Sequence, residues 1–438
     1  MFSSNRNMKL RTALVLLFCL PALGQEAMFR SNPEHTGVYQ SAGVPKFNRV
    51  KWKFQTGGRI FSSPAVSDGT IYFGSTTRFL YALDLENGTL KWTFKAGARI
   101  TSSPAVASGL VYFGSYDGNF YAVDTAGKLK WKFQTVGERR FAGKHLHGSS
   151  PAMETMPDPF DFFLSSPLVV AGSVYFGSGD GNVYALDASS GALKWKFQTG
   201  DVVHASPAIS DGTLFIGSWD SYFYAVDTAT GKQKWRFKTG EDHETYNQVG
   251  IQSSAAVVDG VVYFGCRDSN LYALDAATGE KKWTYNNKGS WVIGSPAVKN
   301  GKGYFSTSDS SMFYQLDART GTPVFSLNFH HWPMFSSPAL AGNMAYIGSH
   351  EGKLIAIDIE SQKTAWIFQT EGSVKNGLAW TKADGTPNYE AAFTDDFYDT
   401  MVSGVDKMMT LGAILSSPVV VDRVIYFGST DGNLYALM

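Results

Sequence analysis

A short pattern recurs along this chain at a period near 40 residues. Few architectures remain open to such a sequence, because each unit must bury its apolar face against the next. The pattern reads Ser-Ser-Pro-Ala-Val, Tyr-Phe-Gly-Ser, Leu-Tyr-Ala-Leu-Asp, then Gly-x-x-Lys-Trp-x-Phe, and its cleanest copy runs from Ser165 to Phe197. Eight openings are present: Ser63-Pro64, Ser103-Pro104, Ser166-Pro167, Ser206-Pro207, Ser254-Ala255, Ser295-Pro296, Ser337-Pro338 and Ser417-Pro418. Seven endings follow them, at Trp92, Trp131, Trp195, Trp235, Trp283, Phe325 and Trp366. The eighth copy stops at Leu437-Met438, one strand short, while an orphan ending, Val50 to Phe54 with Trp52, precedes the first opening. Openings and endings therefore match only if the chain closes into a ring.

Each copy holds four short alternating strands bounded by turn residues, as in Thr70 to Gly74 and Phe79 to Leu83. Asp117-Gly118, Asp180-Gly181 and Asp431-Gly432 supply tight hairpins between second and third strands. Asp and Gly ahead of each ending aromatic, such as Asp187 and Gly191, supply the next turn. The expected fold is all-β: an eight-bladed β-propeller of four-stranded antiparallel blades, closed by an N-terminal strand that completes the last blade. A length of 438 residues would ordinarily imply about three domains, but a closed ring overrides that expectation.

Residues 1–24 read as a signal peptide: Lys9 and Arg11, an apolar run from Ala13 to Leu20, and cleavage after Gly24. The run is too short to span a bilayer. Cys19 falls inside it and leaves Cys266 alone, so no internal disulfide forms, which fits a bacterial periplasm or secretion into the medium. Residues 25–49 are a polar, Pro-containing lead-in expected to run across the surface, and the propeller occupies 50–438. Formal net charge is zero, which excludes nucleic acid as an expected partner. The chain is expected to be a monomer that does not span the membrane.

The residues Pro-Ala-Val, Tyr-Phe-Gly-Ser, Leu-Tyr-Ala-Leu-Asp and Gly-x-x-x-Trp together resemble the PQQ-like propeller repeat, found in quinoprotein dehydrogenases and in BamB-like outer-membrane assembly factors. Met28-Phe29-Arg30 with His35-Thr36-Gly37 resembles the lead-in of such proteins. The resemblance covers nearly the whole mature chain. It implies either a non-catalytic envelope scaffold or an enzyme with pyrroloquinoline quinone (PQQ) and calcium at the channel mouth. The adjacent cysteine pair of the alcohol-oxidising branch is missing, as is a Cys-x-x-Cys-His haem site. The cofactor ligands of that branch therefore map onto no positions here.

Openings recur every 40 to 42 residues except at three places, which give insertions at about 135–163, 241–251 and 371–414. All three fall between a fourth strand and the next first strand, so they gather on one face of the ring. His145, His147, His204, His243, His330, His331 and His350 lie on that face, as do Trp219, Trp291, Trp332 and Trp380. Loops on a rigid scaffold are where binding residues concentrate. The candidate ligand-binding set at the channel mouth is Arg59, Arg99, His204, Asp220, Gln252, Asp268, Trp291 and Trp332. Arg59 and Arg99 share a register and offer forks of donors to a carboxylate, against solvated rim charges as the alternative. Asp220 and Asp268 are turn residues first. Trp291 and Trp332 offer planar faces to a quinone or sugar, or else pack loops together. His145 and His147, on an extended segment, are the only metal candidates, and surface histidines are the alternative. The repeated Asp and Trp residues are scaffold, and Phe325 marks the weakest dock. Apolar residues at three- and four-residue steps predict one amphipathic helix over 389–409, with Asp395, Asp396, Asp399 and Asp406 on its wet side. It would cap the channel or meet a partner. The function expected is an exported binding or scaffolding propeller in the cell envelope that meets an envelope protein or small ligand through the loop-rich face. The alternative is a PQQ-dependent dehydrogenase oxidising an alcohol or sugar at the channel mouth.

Overall fold

The structure is a computed structural model and describes residues 27–329 and 332–438. The expected signal segment and the pair His330 and His331 lie outside the described residues. Eight blades surround a central axis. Blade 3 is representative, with strands Leu168–Val170, Ser173–Gly177, Asn182–Asp187 and Leu193–Gln198 paired in that order. The innermost strand is three residues long because the blades converge on the axis. Both middle strands are buried on both faces, and the outermost alternates, with Trp195 and Phe197 turned inward and lysines outward. A register shift between the third and fourth strands recurs from blade to blade, as at Ala185 and Leu186.

The Ser-Ser-Pro opening has a separate task for each serine. The first pins its own blade: the Ser165 hydroxyl oxygen accepts the N–H of Gly177, the last residue of strand two, at 2.9 Å. The second links neighbours. Ser63 N–H donates to Ser103 Oγ, Ser103 to Ser166, Ser166 to Ser206, Ser206 to Ser254, Ser254 to Ser295, Ser295 to Ser337, Ser337 to Ser417 and Ser417 back to Ser63, at 2.8–3.3 Å. Eight bonds thus close a circle around a void of about 40 Å³ on the axis.

At the periphery each ending tryptophan docks on the next blade, its indole N–H reaching a backbone carbonyl at 2.8–3.1 Å. The seam of the ring obeys the same rules. Val50–Gln55 is the outer strand of blade 8, antiparallel to Asn433–Leu437. Trp366 of blade 7 finds Val44 of the lead-in where a blade-8 turn would otherwise stand.

The lead-in does not run across the surface as expected. It threads the base of the ring: the carbonyls of Ala27, Pro33, Glu34, Thr36 and Gly37 accept N–H groups from the inner strands of blades 2, 4, 5, 6 and 7. Val38–Tyr39 then pairs in parallel with Ala339–Ala341. Arg30, 1 % exposed, donates to the carbonyls of Pro296 and Pro338, and Phe29 reaches the axial void. Free N–H groups on the inner strands draw in the backbone, whatever the polarity of its side chains.

The third insertion carries three helices: α1 (Glu371–Trp380), α2 (Tyr389–Ala392) and α3 (Tyr398–Met408). The single helix predicted over 389–409 is interrupted because the Asp395 carboxylate accepts the N–H of Phe397 and makes a turn. The four aspartates do lie on the wet side, and Val405 and Met408 are buried.

Candidate functional site

The residue three places before each opening Pro (Ala255 in blade 5) faces the axis above the serine circle, giving Phe61, Thr101, Leu164, His204, Gln252, Ile293, Phe335 and Leu415 around the mouth. Four neighbours, Ile293, Phe335, Leu415 and Phe61, make an apolar sector. Val405 and Met409, from and just after α3, pack on it together with Phe162 and Trp291. The helix therefore caps half of the channel mouth.

The other sector is polar and buried. His204 Nδ1 meets Asp161 at 2.7 Å and Nε2 meets Glu138 at 2.9 Å, both acids coming from the first insertion. Burial alone would lower the ring's pKa, but the two carboxylates outweigh it and push it up to about 10, so an imidazolium stands between two acids. Burial raises Glu138. Beside this group Asp158, fully buried, meets Arg267 at 2.7 Å and His147 at 3.2 Å. Burial pushes the Asp158 carboxyl up, yet the Arg267 and His147 charges overcome it and hold it well below the usual carboxylate range. Arg267 is itself fully buried between Trp291 at 3.9 Å and Trp219 at 4.8 Å.

Two hollows flank α3. One is a cleft of about 760 Å³ in which Arg59, Arg99 and Arg140 come together. Arg59 is bound to Asp406 of α3 at 2.6 Å, and Arg99 stacks on Tyr116 at 4.0 Å. The other is a cavity of about 400 Å³, walled chiefly by Trp291, Phe160, Phe335, Tyr389 and Phe393, with Asn247, Asp309 and His350 among its polar lining. His350 is neutral, its pKa lowered to about 3 by burial.

The structure thus gathers Arg59 and Arg99 in one hollow and places Trp291 in the other, with His204 and Gln252 on the axis. Gln252 donates to the Phe160 carbonyl at 3.1 Å and anchors the first insertion. Asp220 and Asp268 are clamps: each accepts the N–H of a glycine leaving the preceding blade, Gly200 or Gly240, and the hydroxyl of a strand-three tyrosine, Tyr224 or Tyr272. Trp332 is 1 % exposed, donates to the Gly385 carbonyl, and packs with Met408 and Leu411, so it holds the third insertion in place. His145 and His147 are not on an extended strand. Both adopt left-handed backbone angles in a short turn, and His147 is engaged by Asp158 and Asn247. Among the described residues no group of three or more His, Cys, Asp or Glu side chains gathers as a metal site.

Glu138, Asp158, Asp161, Arg267 and Asp309 were not singled out by sequence. Part of the signal is there: Arg267, Trp219 and His350 share one position in their hairpins, directly after the residue that ends the Tyr-Phe-Gly-Ser pattern.

Fold and mouth together define an eight-bladed PQQ-like propeller with one elaborated face. The family model described as outer membrane protein assembly factor BamB matches residues 46–156, 153–368 and 286–438, and the chain belongs to that family. Among solved structures it is similar to BamB from Moraxella catarrhalis, with 17 % identity and a TM-score of 0.62 over 89 % of this chain and 97 % of that one. It is also similar to a europium-containing methanol dehydrogenase, with 16 % identity and a TM-score of 0.68 over 94 % and 97 % of the two chains. The quinohemoprotein alcohol dehydrogenase from Comamonas testosteroni gives 14 % identity and a TM-score of 0.67 over 94 % of this chain and 80 % of the other. These likenesses establish the fold alone. No curated protein sequence matches significantly. No helix among the described residues is long and apolar enough to cross a membrane.

Proposed function

We propose that this chain is an exported, non-catalytic propeller that binds or scaffolds a partner in the cell envelope through its loop-rich face. The observation that carries the reading is the state of the acids at the channel mouth. Glu138 and Asp161 are spent on His204, and Asp158 on Arg267 and His147. Calcium takes six to eight oxygen ligands, and the described residues offer no cluster of acids for it. PQQ carries three carboxylates, whereas the aromatic cavity beside α3 is lined by no Lys or Arg. The aromatic cavity beside α3 therefore does not fit a quinone with its calcium ion. The signal segment and the kinship to an outer-membrane assembly factor support an envelope location.

The test is a titration of the purified mature chain with PQQ and calcium, followed by quinone absorbance and by dye-linked oxidation of alcohols and sugars. No binding at tens of micromolar and no turnover is the expected result. Tight stoichiometric binding with turnover would show a dehydrogenase. Export is tested separately by sequencing the N-terminus of the chain from the periplasm or medium, which should begin at Gln25.

A further inference from the structure

The hairpin aspartates of five blades share one job, and the hairpin aspartate of blade 6 does not do it. Asp117, Asp180, Asp220, Asp268 and Asp431 each accept a backbone N–H from the connection leaving the neighbouring blade. Each also accepts the hydroxyl of a tyrosine four residues on. Blade 6 departs from this rule. Its hairpin runs from Ser306 to Met312, one residue longer than the span from Gly114 to Asn119 in blade 2. The residue four beyond Asp309 is consequently Phe313, with no hydroxyl to give. Ser310 takes over locally, its hydroxyl bonding Asn287 and Thr307. Asp309 keeps the Ser308 hydroxyl at 3.3 Å and makes no ion pair within 4 Å among the described residues, though the Arg267 and His147 charges reach it from farther off.

The released carboxylate stands at the wall of the 400 Å³ cavity. It is solvent-exposed at that wall, and the protein around it still pushes its carboxyl up. Around it are aromatic rings: Phe160 and Phe335 from the ring of blades and its first insertion, Tyr389 and Phe393 from α2 and its C-terminal end. Tyr389 lines the same cavity as Asp309, and burial raises its hydroxyl, with the charge of Asp309 raising it further. The cations nearby are committed. Arg267 lies on Trp291 and pairs with Asp158 through Nη1, and His147 meets Asp158, so each touches Asp309 only through longer-range charge, while His350 is neutral. A carboxylate with no ion pair of its own, at the wall of an aromatic cavity, suits a cation with an apolar skin. Aromatic faces attract such cations, and quaternary ammonium groups are the recurring case.

We propose that this cavity is a binding site for a small organic ammonium ion, with Asp309 as its counter-ion and Phe160, Phe335, Tyr389 and Phe393 as its wall. The assignment rests on the binding-protein reading above and names the ligand class of the loop-rich face. α2 and α3 form the roof, so the ligand sits beneath the insertion that caps the mouth.

The experiment is calorimetric titration of the mature chain with choline and, separately, with 3,3-dimethylbutan-1-ol, its uncharged isostere. Choline should bind about tenfold more tightly than the alcohol. Asp309→Asn should erase that preference while leaving the alcohol unchanged, since a half-open side chain is replaced by one of equal size. Phe393→Ala should weaken both probes. Equal binding of the two probes by the wild type, an unchanged preference in D309N, or no heat from choline at tens of millimolar would each overturn the assignment. The dye-linked assay on the same preparation reports separately on the non-catalytic reading: turnover with PQQ would overturn that, whatever choline does.

Discussion

At the scale of single residues, the mouth is organised by buried charges that satisfy one another. His204 is the clearest case. Its folded pKa, about 10, lies above the 6.5 expected for the unfolded chain, because Asp161 and Glu138 outweigh the cost of burying the ring. A group shifted in this direction stabilises the fold fully below its unfolded pKa, and the contribution disappears as pH rises through the folded value. His204→Gln would leave two buried carboxylates facing an uncharged amide. Breaking a buried ion pair from one side costs about 3–5 kcal/mol. Denaturant unfolding of the wild type and H204Q should therefore differ by about that amount at pH 6.5 and converge toward pH 10. An equal difference at both pH values would show that the histidine acts by packing and not by charge. Little of this cluster was legible in the sequence. His204 stood out as a loop histidine, but a buried charge is recognisable only beside its partner. Asp158 and Arg267 are separated by 109 positions in the chain, and only the closed ring brings them to 2.7 Å.

At the scale of the blade, docking is a pair of features and not a tryptophan alone. The glycine of each turn receives the preceding blade's indole: a Cβ at Gly191 would stand 2.6 Å from Trp131, and one at Gly321 2.7 Å from Trp283. Those glycines also take left-handed backbone angles, φ +74° and +71°. Phe325 departs from the pattern in blade 6, and the turn it faces in blade 7 departs with it, carrying Gln362 at φ +61° in place of glycine. The smaller ring leaves room for a side chain, so two apparent flaws compensate each other. Phe325→Trp alone should destabilise by about 1–3 kcal/mol through overpacking against Gln362. Gln362→Gly alone should cost little, since the left-handed angle suits glycine. The double variant should recover the loss and add an indole N–H bond to the Ile359 carbonyl, worth about 0.5–1.5 kcal/mol. The departure at Phe325 could be read from one sequence, but its partner could not, because Gln362 looks like an ordinary turn residue until the two blades are set side by side. A double-mutant cycle by thermal unfolding measures the coupling, and additive effects would refute the pairing.

For the whole molecule, eight openings and eight endings make the ring legible in the sequence itself. Each blade's four strands and the orphan Trp52 strand have matched side-chain patterns, and pattern is what a sequence displays. The lead-in was misjudged for the opposite reason. Its role rests on backbone carbonyls offered to five blades, and backbone groups leave no mark on composition. The serine circle shows what such closure is worth. Its eight links are alike, yet only one of them, Ser417 to Ser63, joins the last blade to the first. Removing a hydroxyl leaves a buried N–H without its acceptor, a loss of about 1–3 kcal/mol. Ser254→Ala breaks an interior link and Ser63→Ala breaks the seam. The seam is also sewn by Val50–Gln55 on the outside and by the lead-in across the base, so it should be no weaker than any other junction. The two variants should therefore lose the same stability within about 0.5 kcal/mol, with unchanged cooperativity in denaturant. If S63A instead unfolds in two steps, with protease cutting near residues 40–60 before the main transition, the seam is a local weakness. The ring would then close only as strongly as its N-terminal strand.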